Sequence, residues 1–231
     1  MSKEKIVVFT PHPDDETLGM GGTIAKMSKA GHDVTVVTVS AHSPPLYSEE
    51  MRERTLQEAK NAHERLGVHE STYLGYAAVS LEATDSAELN RAVLAEVEKH
   101  GPTQVYIPFF DRHSDHRAVF ESAVLATRPM GVGQDIRLVA AYETLSATNM
   151  NVSGIEPAFS PNYYVDITEE IDTKLEAMAE YESQLQPFPE PRSLEALRGL
   201  SLFRGASSGV GFAEAFQVIR MNDAVTIPRN R

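Results

Sequence analysis

Two short segments carry side chains whose types and spacing could do chemistry together. One is Pro11-His12-Pro13-Asp14-Asp15-Glu16, and the other, about a hundred residues on, is Asp111-Arg112-His113-Ser114-Asp115-His116. His12 and Asp15 are three residues apart, so in a turn both can face one ion while Asp14 points elsewhere. Three carboxylates and an imidazole this close repel one another unless a cation sits among them. In the second segment His113 and His116 are also three apart, with Asp115 between them. One histidine can ligate a metal. The other can pair with Asp115, which would fix its tautomer and favour the imidazolium form. Each segment alone also has an ordinary reading, as an acidic helix N-terminus or a solvated polar loop.

The two segments act together only if the fold brings them together, and the flanking sequence supplies the means. The β-branched run Ile6 to Thr10 reads as a buried parallel strand ending at the first segment, and Gln104 to Pro108 as a strand ending at the second. A helix is expected after each, over Thr17 to Ala30 and Asp115 to Thr127. Further strands are expected at Val34 to Val39, Thr72 to Leu74 and Ile136 to Tyr142, and further helices from Ser48 to Leu66 and from Ser86 to His100. Strict alternation predicts an α/β, Rossmann-like fold: a mainly parallel sheet with helices on both faces. Beyond Glu143 the rhythm loosens into a loop (147–160), a strand (163–167), a helix (171–185), the proline-rich break Pro187 to Pro191, a helix (193–203) and a last strand (215–221), with a frayed tail from Asn222 to Arg231. No repeat or polar linker divides the chain, so one domain over residues 1–231 is expected. If the two motif-bearing strands are neighbours at a switch point, their loops converge on one cleft. His12, Asp15 and His116 then form a two-histidine, one-carboxylate site with room for water, the composition of a catalytic zinc centre.

Composition narrows the partners. The net charge of −12 disfavours nucleic acid and anionic membranes. With no cysteine, any metal must sit on His, Asp or Glu. The apolar run near the N-terminus is too short for a signal peptide or a membrane span, so a cytoplasmic protein is expected.

The Pro-His-Pro-Asp-Asp-Glu segment, the following Leu18-Gly19-Met20-Gly21-Gly22-Thr23 and the His-x-Asp-His segment resemble the PIG-L/LmbE-like deacetylases. Weaker matches extend to Glu58-Ala59 with Leu66-Gly67-Val68, to Tyr181-Glu182-Ser183-Gln184 and to Ala213-Glu214-Ala215-Phe216, nearly the whole chain. The resemblance implies hydrolysis of an N-acetyl group on an N-acetylglucosamine-type conjugate. It implies Zn²⁺ (Fe²⁺ or Co²⁺ would also suit such donors) on His12, Asp15 and His116. It implies Asp14 as general base, and His113, supported by Asp115, as the group that stabilises the oxyanion or protonates the leaving group. It also implies a homo-oligomer, a trimer or hexamer. Some members carry a substrate-binding arginine at the position of Thr55; here Arg54, one residue earlier, is the candidate. Glu143, after a strand end, and Arg112 are further candidate substrate contacts. Around Ser193 there is no tyrosine of the kind some members place near the oxyanion.

The competing readings are hydrolysis of a non-sugar N-acyl amine or thiol conjugate, a metal-dependent phosphohydrolase using Arg112 and Arg117, and a non-catalytic metal-binding module. The remaining histidines have no partner spacing, although His42 follows a strand end that could face the cleft.

Overall fold

The structure is a computed structural model that describes residues 3–222, so the expected frayed tail falls, from residue 223 onward, outside the described residues. Its frame is a seven-stranded sheet. The strands are β1 (Lys5–Thr10), β2 (Asp33–Ala41), β3 (Glu70–Ala77), β4 (Gln104–Pro108), β5 (Leu138–Tyr142), β6 (Tyr163–Asp166) and β7 (Ala213–Met221), in the order β3-β2-β1-β4-β5-β7-β6. The first five pair in parallel, while β7 runs antiparallel to both β5 and β6.

The helices are α1 (Asp15–Lys29), α2 (Glu49–Leu66), α3 (Ser86–His100), α4 (Ser114–Ala126), α5 (Ile171–Ala179) and α6 (Leu194–Ser208). The period-two alternation of strand side chains divides the core in two. Ile6, Val8, Val34, Val36, Tyr106 and Tyr142 face Leu18, Ile24, Ala59, Leu66, Met178 and Leu197 of α1, α2, α5 and α6. Val7, Phe9, Val37, Val105, Ile107 and Val139 face Leu89, Val93, Val97, Val119 and Ala123 of α3 and α4. The expected helix-covered parallel sheet is therefore observed. Among the described residues no helix is long and apolar enough to cross a membrane.

Local chemistry explains where the elements end. Ser48, Asp85 and Ser193 accept backbone N–H groups at the starts of α2, α3 and α6. Gly67, Gly101 and Gly209 close the same helices in the left-handed conformation. The stop at Gly209 carries α6 past the expected end at Phe203. The last expected turns of α5 (171–185) are not helical. The chain leaves at Ala179 because Tyr181 and Ser183 turn to bond Glu16 and Glu58 instead. In α1, a Cβ on Gly19 would stand 2.3 Å from the Tyr142 ring and one on Gly22 would stand 2.8 Å from Ile167, so helix and sheet approach too closely for any side chain there.

β1 lies between β2 and β4, with α1 crossing one face of the sheet and α4 the other. This is a switch point, where the loops after two adjacent parallel strands part and leave a crevice. The two motif segments are those loops.

Candidate functional site

Each motif is held by the helix it starts. Asp14 precedes α1 at φ 110°, a backbone conformation costly for any residue with a Cβ. The other non-glycine residue with positive φ among the described residues is Val79, at 62°. It lines the same cleft, and its N–H donates to Asp115 at 2.6 Å. His113 caps α4, its Nδ1 accepting the Asp115 N–H at 3.2 Å.

The cluster is centred on Asp15. Its Oδ2 lies 2.9 Å from His12 Nδ1 and 3.2 Å from His116 Nε2. The outer nitrogen of each ring is taken by another carboxylate: His12 Nε2 donates to Asp115 at 2.9 Å, and His116 Nδ1 to Asp111 at 2.9 Å. Both outer carboxylates are buried and further satisfied. Asp115 also accepts from the Leu81 N–H, and Asp111 from Thr148 Oγ1 and the His113 N–H. This arrangement fixes each imidazole and leaves its inner nitrogen facing Asp15, as outer carboxylates do for metal-ligating histidines. Burial opposes charging His12, but Asp115 and Asp15 outweigh it and raise its pKa to about 9. Burial likewise opposes charging His116, and Asp15 and Asp111 raise it to about 10. The buried carboxylates thus require positive charge between them, which protons supply in the absence of a metal. One ligand atom each from His12, Asp15 and His116 lie within 4.8 Å of one another, so these residues could hold a metal ion. His12, His113 and Asp115 form a second grouping of the same span that shares His12.

Pairing between His113 and Asp115 was the expectation, and the geometry corrects it. The Asp115 carboxylate turns to His12, since a residue in the first helical turn points its side chain away from the cap two positions earlier. With its Nδ1 accepting a backbone N–H, neutral His113 carries its proton on Nε2. Burial and then the neighbouring His12 and His116 lower its pKa to about 4, so the imidazolium form is disfavoured.

Beside the cluster opens a cleft of about 500 Å³, lined by His12, Asp14, Tyr47, His113, Gln184 and Arg192, among others. His42 also lines it, its ring edge-on to Tyr47 at 4.2 Å. The Asp14 carboxylate is buried and neither oxygen has a hydrogen bond. Burial raises its pKa to about 7, Arg192 opposing and Asp15 and Glu16 assisting. Arg192 Nε stands 3.2 Å from Asp14 Oδ2 as an ion pair without hydrogen-bond alignment.

The three expected substrate contacts are not among the residues that line the cleft. Arg54 is half exposed on α2 and pairs with Glu58 and Glu182. Glu143 is buried and forms a two-pronged pair with Arg204, both contacts 2.7 Å. Arg112 is exposed and donates to the Met150 carbonyl, and Arg117 to the Arg112 carbonyl, so neither is placed to receive a phosphate in the cleft. Residues that sequence reasoning missed stand in their place. Asp111 had a signal, opening the second motif. Arg192 had none, lying at the end of the proline-rich break. Glu16 is buried beneath Asp14, accepting from Tyr181 Oη at 2.5 Å and Thr17 Oγ1 at 2.7 Å, with His63 Nε2 at 3.5 Å.

Residues 7–127, which contain both motifs, match the sequence profile of PIG-L, GlcNAc-PI de-N-acetylase. The chain belongs to the PIG-L family. It is 30% identical to the diacetylchitobiose deacetylase of Thermococcus kodakarensis over 94% of this chain and 83% of that protein. The solved structure of N,N'-diacetylchitobiose deacetylase from Pyrococcus horikoshii, in complex with an inhibitor, superposes with a TM-score of 0.74 at 26% identity, covering 94% of this chain and 84% of that one. The 4-carboxy-2-hydroxymuconate hydratase GalB from Pseudomonas putida KT2440 has a TM-score of 0.76 at 17% identity, covering 98% of this chain and all of that one. That last likeness shows the fold alone. A fold alone does not dictate a reaction, which must be argued from the cluster and its cleft.

Proposed function

We propose that this protein is a metal-dependent hydrolase that removes the N-acetyl group from an N-acetylglucosamine-type or related amino-sugar conjugate. The observation that carries the proposal is Asp15 Oδ2 between two inward-facing histidine nitrogens, with the Asp14 carboxylate, free of hydrogen bonds, beside them in an open cleft. The activities named for the relatives support the substrate class.

In this reading His12, Asp15 and His116 hold the ion, and zinc suits two imidazoles and one carboxylate. The bound ion supplies Lewis acidity toward the amide carbonyl and toward water. Asp14, buried beside the cluster with no competing hydrogen bond, accepts the proton of the attacking water. His113 stays neutral and offers Nε2–H to the carbonyl oxygen as it gains charge. The proton taken by Asp14 then passes to the leaving nitrogen. Asp111 and Asp115 keep the two ligand imidazoles in the tautomers this needs. The homo-oligomer implied by the resemblance belongs to the same proposal, and exposed Leu202, Phe203 and Met221 are apolar surface available for it.

The test is acetate release by zinc-loaded protein from a panel of N-acetylated amino sugars and non-sugar N-acyl amines, with phosphate release from phosphomonoesters in parallel. Acetate from the sugars alone is expected, and none after chelation. Phosphate release, or acetate only from non-sugar amines, would overturn the assignment.

A further inference from the structure

We propose that Arg192 is a catalytic residue of the deacetylation proposed above, its guanidinium N–H groups donating to the acetamide oxygen as that oxygen takes up negative charge. Arg192 lies in the segment between α5 and α6 and lines the cleft together with Asp14 and His113. Its Nε is 3.2 Å from Asp14 Oδ2, which puts the cation at the reacting end of the cleft rather than at its outer rim. Among the described residues Asp14 is its one ion-pair partner, and the buried Nε makes no hydrogen bond. A guanidinium has five N–H donors and keeps its charge at any working pH, so donors remain for a substrate.

The backbone around Arg192 is fixed in advance. The Gln186 N–H donates to the Arg192 carbonyl at 3.1 Å, the Ser193 N–H to the Glu190 carbonyl at 3.1 Å, and Ser193 caps α6. At the other end of the segment, the Ser183 N–H and Oγ bond Glu58 of α2. A donor held in place before reaction needs no reorganisation when charge develops, which makes it effective in a partly desolvated site. The other lining side chains of the segment, Ser183 and Gln184, are neutral.

The chemistry balances without further reactants. The water oxygen adds to the acetamide carbon, one water proton moves to Asp14, and the C=O electron pair moves onto the oxygen. Collapse restores the C=O bond and breaks the C–N bond, and the proton on Asp14 goes to the departing nitrogen, giving acetic acid and the free amine. Arg192 and His113 hold the oxygen between these steps and exchange no atom with it.

The test uses zinc-loaded wild type, Arg192→Ala and Arg192→Lys on the best substrate of the N-acetyl amino-sugar panel, with zinc content and circular dichroism measured on each. Arg192→Ala is expected to lower kcat about 100-fold, as loss of one oxyanion donor does, with KM within about threefold. Added methylguanidine should restore kcat at least about tenfold in Arg192→Ala and leave wild type unchanged, and Arg192→Lys should fall between the two. A kcat within about threefold of wild type, a loss carried by KM instead, or failure of methylguanidine to restore turnover would each overturn the proposal. If Arg192→Ala does not fold, Arg192→Lys decides on the same kcat and KM criteria. A wild type inactive on every N-acetyl amino sugar overturns the deacetylase reading and this one with it, whereas an active wild type with an unaffected variant overturns this one alone.

Discussion

Replacing Asp14 by Asn is expected to stabilise the metal-free protein at alkaline pH while removing its activity. The Asp14 carboxylate is 1% exposed, and neither oxygen has a hydrogen bond. Burial raises its pKa from 3.8 to about 7 against the pull of Arg192, with Asp15 and Glu16 adding to the rise. That is a little over three decades of proton affinity. At about 1.4 kcal/mol per decade, an ionised Asp14 costs the fold up to about 4 kcal/mol. Asp14 binds its proton more tightly in the folded than in the unfolded chain. Stability is therefore lost as pH rises from about 4 to about 7, and the full cost is carried above that. Asparagine cannot ionise and escapes the cost, and the attraction of Arg192 is already contained in the pKa of about 7, so nothing more is subtracted for the lost pair. The net expectation is that Asp14→Asn is about 3 to 4 kcal/mol more stable than wild type at pH 8 and within about 1 kcal/mol of it near pH 4. Urea unfolding of both proteins in chelator at pH 4, 6 and 8 measures this, and zinc-loaded turnover should fall by about 100-fold or more. A variant less stable than wild type at pH 8, or a difference that does not grow from pH 4 to pH 8, would refute the electrostatic account of this carboxylate. Near wild-type turnover would refute its role as base.

Two further outcomes separate the cluster from its surroundings. Asp111→Asn can keep its one oxygen on the His113 N–H and turn its NH2 toward Thr148 Oγ1, which can accept, but it no longer offers His116 Nδ1 a carboxylate, so zinc affinity should fall about 10- to 100-fold with the fold intact; competition with a chromophoric chelator reads this, and an unchanged Kd counts against the tautomer argument. Glu143→Ala leaves the mostly buried Arg204 unpaired, so unfolding should cost about 3 to 5 kcal/mol less than in wild type, with KM unchanged in whatever folds. A raised KM at full stability would return Glu143 to the substrate.

What could be read from the sequence was local or periodic. The β-branched runs at Ile6 to Thr10 and Val34 to Val39 announce strands because a parallel strand buried on both faces has no polar side to show. Ser48, Gly67 and Gly101 mark helix ends because capping depends on neighbours within a few residues. His12, Asp14, Asp15, His113 and His116 could be singled out because each set follows a strand end directly, so adjacency of two strands brings both sets to one crevice. Pairings between distant side chains could not be read this way. Asp115 was expected to serve its sequence neighbour His113 and instead holds His12, since helix geometry turns it away from the cap and the β1–β4 pairing brings His12 within reach. The same turn makes His113 a backbone acceptor and keeps it neutral, where its motif suggested a cation. Arg54 was expected in the cleft because its number lies near the family's arginine, but α2 faces it toward Glu58 and Glu182. The cation that does meet Asp14 comes from Arg192, carried there by a segment whose path depends on Glu58, Ser183 and the Ser193 cap rather than on any local pattern. Sequence alone thus determined which residues could bind a metal and move protons, because those motifs are contiguous. Only the tertiary structure decided which carboxylate holds which imidazole and which arginine faces Asp14, because those contacts follow from sheet order and loop path.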